Sequence, residues 1–187
     1  MSQEMLNILI VDDDAGDREQ IKRAIKQARP SWKCTEAVSI SAALAACGEN
    51  GFDCIRTGNM VDACAAHLKR DDFDCTIVDY HLPAHDGLTG VSALHQRFPY
   101  MAIIMATGQG DEMIATAAMK RGASDYIRKK DLTKDYLRCT IEAAVEKAGL
   151  LRAVAKLSAE PEFYDGADEP SEDLRLRHAK DTFLLLD

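Results

Sequence analysis

The chain has 187 residues, 47% hydrophobic and 29% charged, which is typical of one ordinary globular domain with an appendage. Its net charge of -8 argues against electrostatic binding to nucleic acid, so we expect no DNA partner. No apolar run approaches the roughly 20 residues of a membrane span, and the N-terminus lacks the features of a signal peptide, so we expect no membrane contact.

The cysteines indicate a cytoplasmic location. None of the six forms a CxxC pair, and they fall inside predicted strands and helices. This usage is typical of buried, reduced thiols in the cytosol, and it does not favour a zinc site or a disulfide framework.

The first predicted strand, Ile8–Val11, is a short apolar run followed by the acidic triplet Asp12–Asp14. Adjacent carboxylates repel one another, so the triplet is unfavourable without a counter-charge. Capping of the next helix by Asp14 or Asp17 accounts for only one or two of the acids. A divalent cation explains the cluster better, because Mg²⁺ prefers hard oxygen ligands.

A repeat precedes the middle of the chain. Phe52-Asp53-Cys54 recurs 21 residues later as Phe73-Asp74-Cys75, and Ser39–Ala46 matches Met60–His67 in pattern. We interpret residues 31–75 as one strand–helix unit present twice. Chance similarity between two alanine-rich amphipathic helices is the alternative.

The repeat leaves two candidates for the second strand, Lys33–Val38 and Asp53–Thr57. Under either choice the chain has more residues than the usual elements need, so we predict an extra helical segment before the third strand.

The third strand ends in an acid. Cys75–Val78 runs directly into Asp79, and the chain then breaks at Pro83 and turns at Asp86-Gly87. This pattern indicates a buried strand that delivers a carboxylate to the carboxyl edge of a sheet, where open α/β sheets bind their ligands.

The later segments continue the alternation of helices and strands. We predict a helix at Leu88–Phe98, a strand at Met101–Ala106, a helix from about Asp111 to Gly122, a strand at Ser124–Ile127 and a last helix from about Thr133. Continuous apolar strands that alternate with helices call for a parallel sheet covered on both faces. Right-handed crossovers then bring the ends of the strands, with Asp12, Asp13, Asp79, Thr107 and Lys129, to one edge.

These residues form motifs that resemble a known family, the receiver domain of two-component response regulators. The matching stretches are Ile-Val-Asp12-Asp13-Asp14, Ile-Val-Asp79-Tyr-His-Leu-Pro83-x-x-Asp86-Gly87, Ala-Thr107-Gly and Gly122-Ala-Ser-Asp-Tyr126-Ile-Arg-Lys129. The resemblance covers about Asn7 to Val145. It implies an α/β fold with a doubly wound five-stranded parallel sheet in the flavodoxin-like order 2-1-3-4-5, over a domain of residues 1–147.

The resemblance also implies a role for each motif residue. Asp79 would be the phosphoacceptor, and Asp12, Asp13, Asp79 and the backbone carbonyl of His81 would hold Mg²⁺. Thr107 and Lys129 would bind phosphoryl oxygens, and Tyr126 would be the switch aromatic. The chemistry agrees, because phosphoryl transfer to a carboxylate needs a cation and a positioned positive charge.

Two features depart from the family pattern. Lys130 stands where family members commonly have a proline, often after a cis bond, and the bare sequence allows either Lys129 or Lys130 as the phosphate-binding lysine; the motif register favours Lys129. The repeat before Asp79 is the second departure.

The implied function is a signalling switch and not an enzyme. A histidine kinase or phosphotransfer protein would phosphorylate it, and a downstream protein target would read it. An aspartyl-phosphate enzyme of the haloacid-dehalogenase type needs a second Asp two residues after the nucleophile, and here that residue is His81. A degenerate receiver, acting as a phosphorylation-independent docking domain, is the other alternative.

The C-terminal part extends beyond the expected domain. We predict a helical extension over residues 148–158, with Leu150, Leu151, Val154 and Leu157 apolar, which either pairs two protomers as a homodimer or folds back on its own domain. Residues 159–187 carry nine acids against three bases, which is typical of a partly disordered acidic tail. No DNA-binding helix-turn-helix pattern follows, so we expect a stand-alone receiver with a tail.

Overall fold

The computed structural model describes residues 5–47, 73–83, 86–108 and 112–159. The strands are β1 (Asn7–Val11), β2 (Lys33–Ala37), β3 (Cys75–Asp79), β4 (Ala102–Thr107) and β5 (Asp125–Arg128). The helices of the described residues are α1 (Ala15–Ala28), α2 (Ile40–Ala46), α3 (Gly87–Arg97), α4 (Glu112–Lys120) and α5 (Lys134–Ala159). A short 3₁₀ turn, Lys129–Asp131, follows β5.

The five strands form one parallel sheet in the order β2-β1-β3-β4-β5, which confirms the predicted fold class. Val11, the last residue of β1, lies opposite Ala37 on one side and Val78 on the other. Asp79, the last residue of β3, lies opposite Ala106. Because all strands run the same way, the residues that follow them meet at one edge of the sheet.

The structure decides between the two candidates for the second strand. Lys33–Ala37 pairs with β1 along its whole length, from Asn7 opposite Lys33 to Val11 opposite Ala37. The other candidate strand and the predicted extra helical segment fall within residues 48–72, outside the described residues. They stay predictions.

The core consists of two layers, one on each face of the sheet. On one face α2 and α3 cover β-strand residues that include Leu9, Val11, Val78, Ile103 and Met105. On the other face α1 and α5 cover residues that include Ile8, Ile10, Ile77, Ile104 and Ile127. Adjacent strand residues therefore point into different layers, as the pleat requires, and both faces are apolar because both are covered.

Local side-chain chemistry sets the ends of the helices. Asp14 caps α1 by accepting a hydrogen bond from the backbone N–H of Asp17, and Asp86 caps α3 by accepting one from Thr89. After α4 the chain turns at Gly122, whose φ of 98° favours glycine. Asp14 is thus the cap, one of the two residues predicted from the sequence.

The last helix, α5, is continuous over 26 residues. Its first half buries Leu137, Ile141, Ala144 and Ala148 against the sheet. The predicted domain boundary between residues 147 and 148 falls inside this helix and stays a prediction, as does the acidic tail, of which residues 160–187 lie outside the described part.

Of the four cysteines in the described residues, Cys47 and Cys75 are buried, Cys34 is half-buried and Cys139 is exposed. The expectation of buried thiols is wrong for Cys139, because it lies on the solvent face of α5. Burial raises the pKa of the Cys75 thiol well above its ordinary value, which keeps this thiol protonated. Among the described residues, no helix has both the length and the apolarity to cross a membrane.

Candidate functional site

Three predicted acids meet at the carboxyl edge of the sheet. Asp12, directly after β1, and Asp79, at the end of β3, are both buried, whereas Asp13 is exposed. Each offers one carboxylate oxygen, and these oxygens lie within 4.8 Å of one another. The structure therefore brings together the carboxylates that the sequence predicted as ligands of a divalent cation.

The loop after β1 is held by hydrogen bonds from α1. The backbone N–H of Asp14 donates to Asp12 Oδ1 at 2.9 Å. Arg18 Nη1 donates to the backbone carbonyls of Asp12 at 2.8 Å and Asp13 at 3.1 Å, while its Nε donates to Glu36 on β2. Sequence reasoning missed Arg18. The sequence feature that could have indicated Arg18 is a basic residue about one helical turn after the acidic residues that follow β1.

A tight turn carries the chain away from Asp79. The backbone N–H of His81 donates to Asp79 Oδ2 at 2.8 Å, and the N–H of Gly87 donates to the carbonyl of Tyr80 at 2.8 Å. A Cβ at Gly87 would lie 2.3 Å from the carbonyl oxygen of Asp79, so the chain approaches itself too closely there for any other residue. Asp86, which caps α3, forms an isolated antiparallel β-bridge with His81, and this pairing helps to close the turn.

Among the residues that the structure describes, Lys129 brings its ammonium into this acidic pocket. Lys129 Nζ lies 2.7 Å from Asp12 Oδ2 and 2.7 Å from Asp79 Oδ1. It also lies 2.5 Å from Oδ2 of Asp17, on the first turn of α1, an acid that the sequence suggested only as a cap. Lys129 rather than Lys130 is therefore the lysine at the acids. The described residues contain no cis peptide bond, so Lys129 and Lys130 are joined in trans.

The pKa shifts follow from burial and from these contacts. Burial raises the pKa of Asp12, and the hydrogen bonds from Lys129 and Asp14 only partly oppose this. Burial alone would lower the pKa of Lys129, but its hydrogen bonds to Asp12 and Asp17 and its ion pair with Asp79 together raise it well above its ordinary value. The lysine is therefore charged at neutral pH, and its single charge faces a surplus of carboxylates.

The other predicted residues, Thr107 and Tyr126, lie on the strands β4 and β5. Thr107 is fully buried at the end of β4, and Ala106, the residue before it, lies opposite Asp79. Tyr126 lies on β5, half-buried against the core layer that contains Met105, its partner across the strands. Contact distances join Asp12, Asp13, Asp79 and Lys129; the strand register places Thr107 and Tyr126 nearby.

Comparison with known proteins gives this arrangement a family. The response regulator receiver domain family matches residues 55–142 of the chain. The receiver domain structure from Clostridium thermocellum superposes with a TM-score of 0.61 at 26% identity, covering 79% of this chain and 99% of that one. The chain contains a response regulator receiver domain.

Curated relatives of the receiver domain are longer proteins. Protein-glutamate methylesterase/protein-glutamine glutaminase 1 of Paramagnetospirillum magneticum is 28% identical over 133 residues, 70% of this chain and 29% of the relative. Transcriptional regulatory protein FixJ of Azorhizobium caulinodans is 40% identical over 58 residues, 31% of this chain and 28% of the relative. The chain thus spans less than a third of the length of either relative.

The family match begins at residue 55 and so does not include β1 or its two acids. The structure adds them to the receiver domain, because β1 pairs with both β2 and β3 in the middle of the sheet. Asp12 and Asp13 reach Asp79 through this pairing.

The acidic pocket of the receiver domain fits Mg²⁺, the ion that domains of this family bind. The donors are hard carboxylate oxygens, which suit this ion. Asp79 Oδ1 is buried and, although Lys129 Nζ is 2.7 Å away, accepts no hydrogen bond of good geometry. Incomplete hydrogen bonding of a buried carboxylate oxygen is unfavourable, and a divalent cation bound here would complete its surroundings.

Proposed function

We propose that this receiver domain accepts a phosphoryl group on Asp79, in a Mg²⁺-dependent reaction, from a histidine kinase or phosphotransfer protein. The observation that carries the proposal is the position of Asp79: a buried carboxylate at a strand end, within reach of two more carboxylates and of Lys129 Nζ at 2.7 Å. Structural acids at strand ends do not need this combination of surplus negative charge and one fixed cation.

The reaction would join a carboxylate oxygen of Asp79 to phosphorus and break the bond between phosphorus and the donor. With a phosphohistidine donor, the electron pair of the P–N bond leaves with the imidazole nitrogen, and no redox change occurs. Asp12, Asp13, Asp79 and the backbone carbonyl of His81 would hold Mg²⁺, which would supply positive charge to the phosphoryl oxygens. Lys129 would donate to one of these oxygens through its charged ammonium.

The remaining residues would read the phosphoryl group. Thr107, buried at the end of the neighbouring strand, would donate its hydroxyl to a phosphoryl oxygen. Tyr126, on the next strand, would then move as the switch aromatic and change a surface read by a downstream protein target. This proposal includes the cytoplasmic location expected from the sequence, and it assigns the described domain a switching role and no enzymatic one.

The test uses acetyl phosphate as the donor. We expect Mg²⁺ and acetyl phosphate to add one phosphoryl group to the wild type, measured by intact mass, and none to Asp79→Asn. Asp74→Asn is the matched control, because Asp74 precedes the same strand at its other end, where its side chain accepts from the N–H of Asn7. Phosphorylation of Asp79→Asn would refute the site. No phosphorylation of the wild type would favour the phosphorylation-independent docking domain.

We also propose that α5 pairs two protomers. Leu150, Val154 and Leu157 are spaced as the core positions of a helix pair, and all three are exposed, as is Leu151. None of them is covered by the described part of its own domain. Pairing two copies would bury this stripe and give the switch an output.

Light scattering of the full chain, with and without beryllofluoride as the phosphoryl mimic, tests this pairing. We expect a dimer in at least one state and a monomer for Leu150→Glu combined with Leu157→Glu. The control is Lys156→Glu, which gives the same change in net charge on the same helix without adding charge to the stripe of Leu150, Val154 and Leu157. A wild type that is monomeric in both states would contradict the pairing.

A further inference from the structure

The contact between Lys129 and Asp17 belongs to no motif noted above. Lys129 Nζ lies 2.5 Å from Asp17 Oδ2, closer than to either Asp12 or Asp79. The ammonium of Lys129 donates hydrogen bonds to Asp12 at 2.7 Å and to Asp17 at 2.5 Å. Asp79 Oδ1 lies 2.7 Å away as an ion-pair partner without a hydrogen bond of good geometry. Asp12 and Asp17 are therefore the two carboxylates that orient the lysine through hydrogen bonds.

Asp17 differs from the other two acids in position. Asp12 and Asp79 are buried below the pocket, whereas the Asp17 side chain is 36% exposed at its rim. Its backbone is fixed in the first turn of α1, where its N–H donates to the capping Asp14 at 2.9 Å. The carboxylate of Asp17 therefore contacts Lys129 from the more exposed side of the pocket.

A divalent cation would not affect the three contacts equally. Asp12 and Asp79 belong to the carboxylates that can share one ion, and Asp17 does not. An ion bound there occupies oxygens that Lys129 now contacts, and its charge repels the ammonium. Asp17 is the acceptor that remains for Lys129 once that happens.

We propose that Asp17 is a positioning residue that retains Lys129 at the rim of the pocket when a divalent cation takes Asp12, so that the ammonium stays within reach of a phosphoryl group on Asp79. The inference rests on the proposed function and adds a residue to it. It acts through Lys129 and does not touch the reacting atoms.

The proposal predicts how Asp17→Asn changes the affinity for Mg²⁺. Without the carboxylate of Asp17, Lys129 has no alternative partner and competes harder with the ion for Asp12. We expect the Mg²⁺ dissociation constant, measured by titration calorimetry, to rise about two- to fivefold, the range of one partly exposed ion pair. Asp17→Glu should restore most of the affinity.

A double-mutant cycle distinguishes two effects of Asp17 on Mg²⁺ affinity. One is the positioning of Lys129, and the other is the direct electrostatic attraction between the Asp17 carboxylate and the ion. Asp17→Asn is made in the wild type and in Lys129→Met, and Mg²⁺ affinity is measured for all four proteins. Positioning predicts that the effect of Asp17→Asn largely disappears when Lys129 is absent. Equal effects in both backgrounds would overturn the proposal, because a direct field does not need the lysine.

Glu19→Gln is the matched control. Glu19 lies on the same helix, and its substitution removes the same charge. Its ion pairs, however, are with Lys22 and Arg23. We expect it to leave the Mg²⁺ affinity unchanged. If Lys129→Met fails to fold, either of two results would still overturn the proposal. One is a loss of Mg²⁺ affinity in Asp17→Asn that equals the loss in Glu19→Gln. The other is a failure of Asp17→Glu to restore the Mg²⁺ affinity.

The outcomes also distinguish this inference from the function on which it rests. A wild type that neither binds Mg²⁺ nor accepts a phosphoryl group would refute both. A wild type that does both, with an additive double-mutant cycle, would refute the role of Asp17 alone.

Discussion

The carboxyl edge of the sheet and the distal half of α5 depart from an ordinary folded protein in opposite ways. At the edge, the acidic side chains of Asp12 and Asp79 are buried, and Lys129 is the lysine of the described residues that contacts both. On α5, Leu150 is 62% and Leu157 73% exposed although they are apolar. Most proteins bury leucine and expose aspartate.

Under the proposed function, one fold would carry two functional surfaces. Each arrangement is unfavourable in the isolated domain and becomes favourable when something external completes it. A cation and a phosphoryl group suit the edge, whereas an apolar protein surface suits α5. The scaffold between them, in which both faces of the central strands β1, β3 and β4 are covered, supplies the stability that tolerates both.

The largest expected effect is a difference in the free energy of unfolding between substitutions in the two halves of α5. Leu137→Ala removes a side chain that is fully buried against the sheet and should lower the free energy of unfolding by about 2–5 kcal/mol. Leu150→Ala should change it by less than about 0.5 kcal/mol, since its side chain is exposed in the monomer. Urea denaturation at low protein concentration measures both. Similar losses would mean that the distal half is packed after all.

The next effect concerns the edge. Lys129→Ala leaves buried carboxylates without their cation and should lower the free energy of unfolding in EDTA by about 2–4 kcal/mol. Mg²⁺ should restore part of this loss, because an ion that binds the native state stabilises it. The control is Lys130→Ala, at the next position of the same turn. Equal losses for the two variants would show that the charges at the edge are not coupled.

A smaller, stabilising effect is expected at the junction of the two halves of α5. Gly149 lies inside the helix, and a Cβ there would meet no heavy atom within 4 Å. Gly149→Ala should therefore raise the free energy of unfolding by about 0.5–1 kcal/mol. Gly90→Ala, also in a helix, should instead lower it, because its Cβ would lie 2.3 Å from Ile40 Cδ1. A loss at Gly149 would indicate that the helix is not continuous there.

The smallest effect lies at the rim of the acidic edge and depends on pH. Hydrogen bonds from Lys22 and then Arg18 lower the pKa of Glu36 below its ordinary value of 4.5. The stability that Glu36 contributes is therefore fully present above pH 4.5 and is lost as the pH falls through the lowered pKa.

Glu36→Gln should accordingly lower the free energy of unfolding by less than about 1 kcal/mol at neutral pH, because the ion pair between Arg18 and Glu36 is partly exposed. At low pH it should not change the free energy of unfolding. Thermal unfolding at a series of pH values measures the difference between the two proteins. A difference that persists at the lowest pH would point to lost packing instead of lost charge.

Much of the fold could be predicted from local chemistry. Continuous apolar strands and the acid after each of two of them were enough to predict a parallel sheet with Asp12, Asp13 and Asp79 at one edge, because pleat and chain direction leave few alternatives. The cap at Asp14 and the turn at Gly122 follow from single side chains or their absence. Such features depend on neighbours in the chain.

Other features depended on residues far apart in the chain. Lys33–Ala37 and the competing segment at 53–57 have similar local patterns, and only pairing with β1 distinguished them. The contacts of Asp17 and Arg18 depended on how α1 packs on the sheet, because that packing decides which residues of its first turn face the loop and Lys129. Exposure of the distal half of α5 likewise follows from where the sheet ends, since the helix continues past the surface that buries its first half.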